Sequence, residues 1–220
     1  MLLGTHTGLY TLGEDGTVTG PVGGIDLDAM GLTATGDNLY ASGHPGPSTP
    51  AELGAPNLGI IRSQDGGETW EPVAFTGEKD FHALTAGPDG TLYGQDAGDG
   101  AVLISTDGGV SWSPTGSTLL AFGLEVDAVG RIIAVTPDGP QVSTDRGESF
   151  AALTDAPNLF LMAASPDRQR LVGVDANDTI WTVTGAGSWQ EVGTVHGTAQ
   201  AITITDEGDV LSFGWGEHGR

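Results

Sequence analysis

Apolar and polar residues alternate along five similar segments of the chain, a pattern typical of β-strands with one buried face. Each segment has a polar or glycine-containing turn near its middle, such as Gly36-Asp37-Asn38 or Pro88-Asp89-Gly90. Each is therefore predicted to form a hairpin of two antiparallel strands, named A and B. The segments are residues 31–44, 82–96, 122–136, 161–175 and 201–215.

A second motif recurs between these hairpins and combines serine, aspartate, glycine and an aromatic residue in a fixed order. Its three full copies span residues 63–70, 105–112 and 143–150. Asp65 and Asp107 are 42 residues apart, and Asp107 and Asp145 are 38 apart. A weakened copy ends at Trp189 and lacks the aspartate. A β-rich repeat of about 40 residues is typical of a β-propeller.

The residue types of this motif suit a hairpin turn between two further strands, named C and D. An aspartate can accept hydrogen bonds from backbone N–H groups, glycines tolerate positive φ, and an aromatic side chain can pack between sheets. We therefore predict a structural role for the repeated residues. They are Asp65, Trp70, Asp107, Trp112, Asp145 and Phe150.

The A-B-C-D order predicts an all-β fold: a β-propeller of four-stranded blades formed by one domain over residues 1–220. Five A-B and five C-D hairpins predict five blades. The C-terminal A-B hairpin is expected to join the N-terminal C-D hairpin and close the ring, since open sheet edges promote aggregation. A surplus B-like segment at residues 2–6 leaves an incomplete six-bladed propeller as the alternative.

Composition excludes some partners. The chain has 29 acidic and 7 basic residues, a formal charge of −22, and Lys79 as its one lysine, so it should repel nucleic acid and anionic membrane surfaces. No apolar run approaches the about 20 residues of a membrane helix, and no signal peptide is visible. With no cysteine, no disulfide contributes to stability. We expect a monomer.

The histidines map to one end of the predicted blades. In a propeller the B-C and D-A loops open on one side, and the A-B and C-D loops open on the other. All five histidines map to the first group of loops, and several aspartates share it. The histidines are His6, His44, His82, His196 and His218. The residues predicted to bind a ligand are His44, Asp80, His82, Asp96 and Asp175.

Within this group, a divalent metal ion is the candidate cofactor, and His44, His82 and His6 are its candidate ligands. Asp80 and His82 are two residues apart on an extended segment, so their side chains should point the same way. A segment with four prolines, residues 45–57, should cover the same end of the blades as a loop. The alternative is that the histidines are exposed loop residues with no common ligand.

Residues 4–10, 42–45 and 80–84, together with the three aspartate motifs, resemble the Asp-box (BNR-repeat) propellers. The similarity is greatest to bacterial and archaeal proteins identified as sialidase-like glycosyl hydrolases. It implies an extracellular or cell-surface protein with a carbohydrate or protein partner. Sialidase chemistry would require three converging arginines, a tyrosine nucleophile with a glutamate, and an aspartate acid/base.

The arginines do not follow the sialidase pattern. Arg62 is the one arginine on a C strand, and the others lie in turns, at a strand start or at the terminus. Tyr40 and Tyr93 occupy the same repeat position, which favours packing over nucleophilic attack. The sequence therefore favours a non-catalytic binding or scaffolding propeller that presents an acidic, histidine-bearing face. The alternative is a sialidase-like, exo-acting glycoside hydrolase.

Overall fold

The computed structural model describes residues 1–13, 15–185 and 187–215. Apart from two short 3₁₀ turns at Val22–Gly24 and Ala51–Leu53, the regular elements of these residues are β-strands. No helix in this part of the chain is long and apolar enough to cross a membrane. The chain divides into two compact units, Met1–Thr118 and Leu119–Arg220, so the prediction of one domain over residues 1–220 stays a prediction.

The first unit contains one three-stranded sheet and two four-stranded sheets, all antiparallel. The sheet orders are β1-β2-β3, β4-β5-β6-β7 and β8-β9-β10-β11. The strands are β1 (Leu2–Thr5), β2 (Gly8–Leu12), β3 (Val18–Thr19), β4 (Leu27–Thr35), β5 (Asn38–Pro45), β6 (Ile60–Ser63), β7 (Glu71–Ala74), β8 (Phe81–Ala86), β9 (Leu92–Asp96), β10 (Ala101–Ser105) and β11 (Ser113–Thr118).

The second unit contains two four-stranded sheets and one two-stranded sheet. Their orders are β12-β13-β14-β15, β16-β17-β18-β19 and β20-β21. The strands are β12 (Gly123–Val126), β13 (Ile132–Val135), β14 (Gln141–Ser143), β15 (Ala151–Ala152), β16 (Leu159–Ala164), β17 (Arg170–Asp175), β18 (Thr179–Thr184), β19 (Gln190–Thr194), β20 (Thr198–Ile204) and β21 (Val210–Trp215).

The predicted fold class, an all-β five-bladed propeller arrangement of four-stranded antiparallel sheets, is confirmed. The five A-B hairpins are β4-β5, β8-β9, β12-β13, β16-β17 and β20-β21. The five C-D hairpins are β2-β3, β6-β7, β10-β11, β14-β15 and β18-β19. The surplus B-like segment is also a strand, β1.

The N-terminal strands form a sheet of their own within the first unit, and closure of the ring by the two chain ends stays a prediction. Both edges of β2 are already occupied, by β1 from Leu2↔Thr11 to Thr5↔Gly8 and by β3 at Thr11↔Thr19. A strand has only two hydrogen-bonding edges. Among the described strands of the second unit, β20 and β21 form a two-stranded sheet.

The three aspartate motifs form the same hydrogen-bonded turn. In the second copy, Ser105 Oγ donates to Asp107 Oδ1 at 2.9 Å, and Asp107 Oδ1 accepts the N–H of Ser111 at 2.8 Å. The N–H of Gly109 donates back to Ser105 Oγ at 3.0 Å. The first and third copies repeat these contacts around Asp65 and Asp145. These contacts support the predicted structural role of the motif.

The aromatic residues of the motifs pack beside the sheets. Trp112 packs against the buried cluster formed by Tyr40, Ile60, Phe81, Leu84, Ala86, Leu92 and Leu103, which joins β4–β7 to β8–β11. Trp70 packs against a second cluster that includes Leu27 and Leu53, and Phe150 is half-buried. The motif therefore combines a closed turn with an anchor in the core of the first unit.

Candidate functional site

His44, Asp80 and His82 converge at one end of two neighbouring sheets of the first unit. One possible ligand atom from each side chain lies within 4.8 Å of the other two. Asp80 Oδ2 is 2.8 Å from His82 Nε2 and 3.7 Å from His44 Nε2. The two imidazole rings meet edge to face, with centroids 6.1 Å apart and an interplanar angle of 87°. We call these three residues the His-Asp cluster.

The end of β5 positions His44. Leu39, near the start of β5, pairs with Ser63 of the first Asp-box, whereas His44 pairs with Asp28 at the far end of the hairpin. The cluster and the Asp-box therefore lie at opposite ends of this sheet, as the sequence predicts. Gly43 has a φ of 135°, and a Cβ added there would come within 1.9 Å of the Asp28 carbonyl oxygen. A glycine is required beside His44 because a side chain would clash with β4.

Phe81 fixes the positions of Asp80 and His82. Its side chain is fully buried and packs against Phe75 and Trp112, each with ring centroids 5.7 Å away. Gly94 on β9 makes room for this ring, since a Cβ there would come within 2.8 Å of Phe81 Cδ1. Because side chains alternate along an extended chain, burial of Phe81 directs its two neighbours to the opposite face. The cluster thus depends on an anchored strand.

Two further hydrogen bonds hold the cluster together. The hydroxyl of Ser42, a fully buried residue, donates to the carbonyl oxygen of Phe81, and this bond joins β5 to β8 beside the cluster. His44 Nδ1 lies 3.4 Å from the carbonyl oxygen of Pro56. When Nδ1 carries the ring proton and donates it to that carbonyl, His44 Nε2 has a free lone pair that faces Asp80. The cluster is therefore oriented by contacts outside it.

Two polar atoms of the cluster are buried without a hydrogen bond among the described residues: Asp80 Oδ1 and His82 Nε2. His82 Nε2 is close to Asp80 Oδ2, but the pair does not have hydrogen-bond geometry. About 39% of the His82 side chain is exposed and about 22% of Asp80. The cluster is thus open to solvent at its rim while its inner polar atoms are enclosed.

The proline-containing segment 45–57 borders the cluster, as predicted. Asp26 anchors its first part, because the Ser48 N–H donates to Asp26 Oδ1 and the Thr49 hydroxyl donates to the Asp26 carbonyl oxygen. Leu53 is buried in the core, and the segment ends beside Pro56, which contacts His44. The segment forms a packed wall next to the cluster.

His6, the third predicted metal ligand, does not join the cluster. Its Nδ1 lies 2.7 Å from Asp28 Oδ1, and about 73% of its side chain is exposed. Asp28 is the direct strand partner of His44. His6 reaches this carboxylate because the β1-β2 turn, which contains His6, lies beside β4. The His6-Asp28 pair therefore lies next to the His-Asp cluster on the same unit.

The other predicted ligand-binding residues have separate roles. Asp96 is buried, contacts Lys79 Nζ and accepts the Gly98 N–H at 2.9 Å. Asp175 lies in the second unit, where it accepts bonds from the Asn177 and Thr179 N–H groups and from Trp181 Nε1. Both carboxylates contact groups outside the His-Asp cluster. His196 is exposed in the second unit, and His218 lies outside the described residues.

Sequence reasoning missed two residues around the cluster, Asp28 and Pro56. Counting from the turn at residues 36–37 would set Ala29 opposite His44, and the register shift between Ala29 and Gly31 brings Asp28 there instead. No sequence pattern indicates the backbone contact of Pro56. A third omission is Glu125 in the second unit, where burial raises the pKa to about 7 against the opposing effects of Arg168 and a backbone hydrogen bond at Ala164.

The arginines are mostly engaged in local contacts. Arg62 pairs with Glu71 at 2.5 Å, and Arg131 Nε lies 2.6 Å from Asp127. Arg168 donates to the Val126 carbonyl oxygen at 3.1 Å, and Arg170 contacts the Asp206 carbonyl oxygen. Arg131 and Arg168 also line a cleft of about 200 Å³ in the second unit, on whose floor lie Leu171 and Val183.

Comparison with known families identifies the repeats. Residues 61–72 and 103–114 match the family described as BNR/Asp-box repeat. These two matches contain the first two Asp-boxes. They cover only a small part of the chain. A search of curated proteins found no match. The predicted resemblance is therefore confirmed for the Asp-box repeats, and the closer resemblance to sialidase-like hydrolases stays a prediction.

Solved structures share the fold at low sequence identity. YCF48 bound to D1 peptide has 17% identity and a TM-score of 0.55 over 84% of this chain. A GH74 enzyme of Niastella koreensis has 18% identity and a TM-score of 0.59 over 86% of the chain, and a gluconolactonase of Xanthomonas campestris has 19% and 0.56 over 88%. The chain spans 61%, 34% and 67% of these proteins. At such identities the likeness shows the propeller fold alone.

Proposed function

We propose that this chain is a non-catalytic binding or scaffolding propeller, and that it binds its ligand at the end of the sheets β4–β7 and β8–β11 that carries the His-Asp cluster. The supporting observation is the convergence of His44, Asp80 and His82 from two sheets, with ligand atoms within 4.8 Å of one another. Two of their polar atoms are buried and have no partner among the described residues. Such polar groups stabilise a ligand that pairs with them.

The surrounding carboxylates favour binding over hydrolysis. Asp80 lies beside His82, Asp28 beside His6, and Asp96 beside Lys79. A glycosidase needs one carboxyl group that holds a proton and faces the leaving group, with a second carboxylate across the scissile bond. Each of these three carboxylates already contacts a basic side chain. Arg62 is the one arginine before residue 119, so this unit also lacks the three arginines of a sialidase.

The partner we propose is a peptide or protein segment that carries positive charge. The formal charge of −22 attracts cationic partners and disfavours nucleic acid. A structure with the same fold is described as YCF48 bound to D1 peptide, so a propeller of this kind can bind a peptide. The likeness carries no residue of that site to this chain.

A peptide titration tests the proposal. The probe is a synthetic ten-residue peptide with alternating lysine and serine, and the control replaces each lysine by glutamate. Added to the ¹⁵N-labelled chain, the lysine peptide should shift the amide signals of residues 26–28, 43–58 and 80–82 and leave those of the Asp-box turns unchanged. The glutamate peptide should shift neither set, because the surface repels it.

A parallel assay tests the hydrolase alternative. The chain is incubated with 4-methylumbelliferyl sialoside and with a xyloglucan oligosaccharide, and released product is followed. The proposal predicts no turnover above that of the Asp80→Asn variant. Turnover that Asp80→Asn abolishes, or peptide-induced shifts at the Asp-box turns in place of the cluster, would contradict it.

A further inference from the structure

We propose that His44, Asp80 and His82 form a mononuclear binding site for a divalent transition-metal ion of the zinc class. The inference rests on the proposed function, because it names the chemistry of the same surface. The ion would bind to His44 Nε2, His82 Nε2 and a carboxylate oxygen of Asp80. Two sheets would then share one metal ion at their common end.

The interatomic distances suit such an ion. Two ligands of a tetrahedral zinc ion, with bonds of about 2.0–2.1 Å, lie about 3.3 Å apart. The carboxylate oxygen of Asp80 lies 2.8 Å from His82 Nε2 and 3.7 Å from His44 Nε2. These two distances lie on either side of the required value. Since the ligand atoms of all three residues lie within 4.8 Å of one another, side-chain rotations would be needed to bring them into one coordination sphere.

The enclosed polar atoms provide an independent argument. Asp80 Oδ1 and His82 Nε2 are buried and accept or donate no hydrogen bond among the described residues. A buried polar atom without a partner costs about 1–3 kcal/mol, so such atoms are rare unless they serve a ligand. His82 Nε2 and Asp80 Oδ2 are 2.8 Å apart without hydrogen-bond geometry, and a shared zinc ion would require them to separate to about 3.3 Å.

The types of ligand select the class of metal. Two imidazoles and one carboxylate suit zinc and related first-row ions, whereas calcium and magnesium prefer oxygen ligands. The contact of His44 Nδ1 with the Pro56 carbonyl oxygen resembles the outer hydrogen bond that commonly orients a metal-binding histidine. Lys79, although adjacent to Asp80 in the chain, directs its Nζ to Asp96 and leaves the charge of Asp80 available.

Three protein ligands leave coordination positions open. About 39% of each histidine side chain is exposed, so the rim of the cluster is open to solvent. A zinc ion with three protein ligands binds a fourth oxygen or nitrogen donor. We infer that the proposed partner supplies this donor and that the ion forms part of the binding surface. The net charge of −22 would raise the local concentration of cations there.

Isothermal titration with zinc chloride tests the site without any partner. The chelator-treated chain should bind one zinc ion. His82→Ala and Asp80→Asn should each weaken zinc affinity at least about 100-fold, because even changes outside the coordination sphere can reduce metal affinity up to about 100-fold. His6→Ala is the matched control, because this histidine also contacts an aspartate on the same unit. It should change the affinity less than about twofold, and thermal unfolding should show that all variants are folded.

Cobalt(II) gives a second readout. The loaded chain should show the visible absorption of a four- or five-coordinate cobalt site, and His44→Ala should abolish it. Equal zinc affinity of wild type and His82→Ala, or an equal loss in His6→Ala, would overturn the metal site. A chain that binds the lysine peptide at the cluster but binds no zinc would overturn only this inference. A chain that binds zinc here but no peptide would overturn only the partner.

Discussion

At the scale of single residues, hydrogen bonds within the turn favour the charged form of each Asp-box aspartate. Asp65 and Asp107 are exposed in their turns and Asp145 is half-buried. Three hydrogen bonds converge on Asp145, from Ser143, the Ser149 N–H and the Ser149 hydroxyl. These bonds, that of the Ser149 hydroxyl most of all, together lower the pKa of Asp145 to about 2. Each bond stabilises the carboxylate and not the protonated acid. The turn is therefore tied to the charge of its aspartate.

This charge predicts a pH dependence of stability. Since the pKa of Asp145 is about 2 in the folded chain and about 3.9 when unfolded, its contribution is complete above about pH 4 and is lost as the pH falls towards 2. Asp145→Asn should therefore lower the melting temperature by about 2–4 °C at pH 6 and have little effect near pH 2. Calorimetry at both pH values checks this. A difference of equal size at both would show that the charge is unimportant.

At the scale of strands and hairpins, the sequence was most informative where a pattern repeats. The alternation in residues 82–96 predicts β8 and β9, and the Asp-box at residues 105–112 predicts the turn between β10 and β11. The cluster of His44 with Asp80 and His82 was also predicted, because loop positions follow from the strand order. This much depends only on local periodicity.

Contacts between elements were less predictable. The partner of His6 is Asp28, because β1 pairs with β2 and its turn ends beside β4. Asp96 was predicted to bind a ligand, and in the structure its carboxylate contacts Lys79 Nζ. Periodicity sets the strands and leaves open which side chains meet.

One hairpin offers a matched pair of glycines for a prediction. Gly43→Ala should cost at least about 3 kcal/mol, because φ is 135° and the new Cβ would meet the Asp28 carbonyl oxygen at 1.9 Å. Gly36→Ala, in the β4-β5 turn, has a φ of 57° and open space around the new Cβ, and should cost about 1 kcal/mol. Urea unfolding compares the two variants. Equal losses would mean that the backbone beside His44 is not closely packed against β4.

At the scale of the whole molecule, charge and repetition serve different purposes. The Asp-box turns recur in both compact units, whereas all three residues of the His-Asp cluster belong to the first. The repeated residues therefore form the sheets, whereas His44, Asp80 and His82, which are not repeated, form the site. The excess of 29 acidic over 7 basic residues attracts cations to the whole surface. Only the cluster adds imidazoles that can hold one ion in place.

The central claim is that His44, Asp80 and His82 act together as one ligand-binding site. Long-range ¹H–¹⁵N spectra of the histidine rings, recorded during a zinc chloride titration, test it most directly. The His44 and His82 ring signals should change together and reach their end point at one equivalent of zinc, while His6 and His196 stay unchanged. Separate responses of His44 and His82, or equal responses of all the histidines, would contradict the claim.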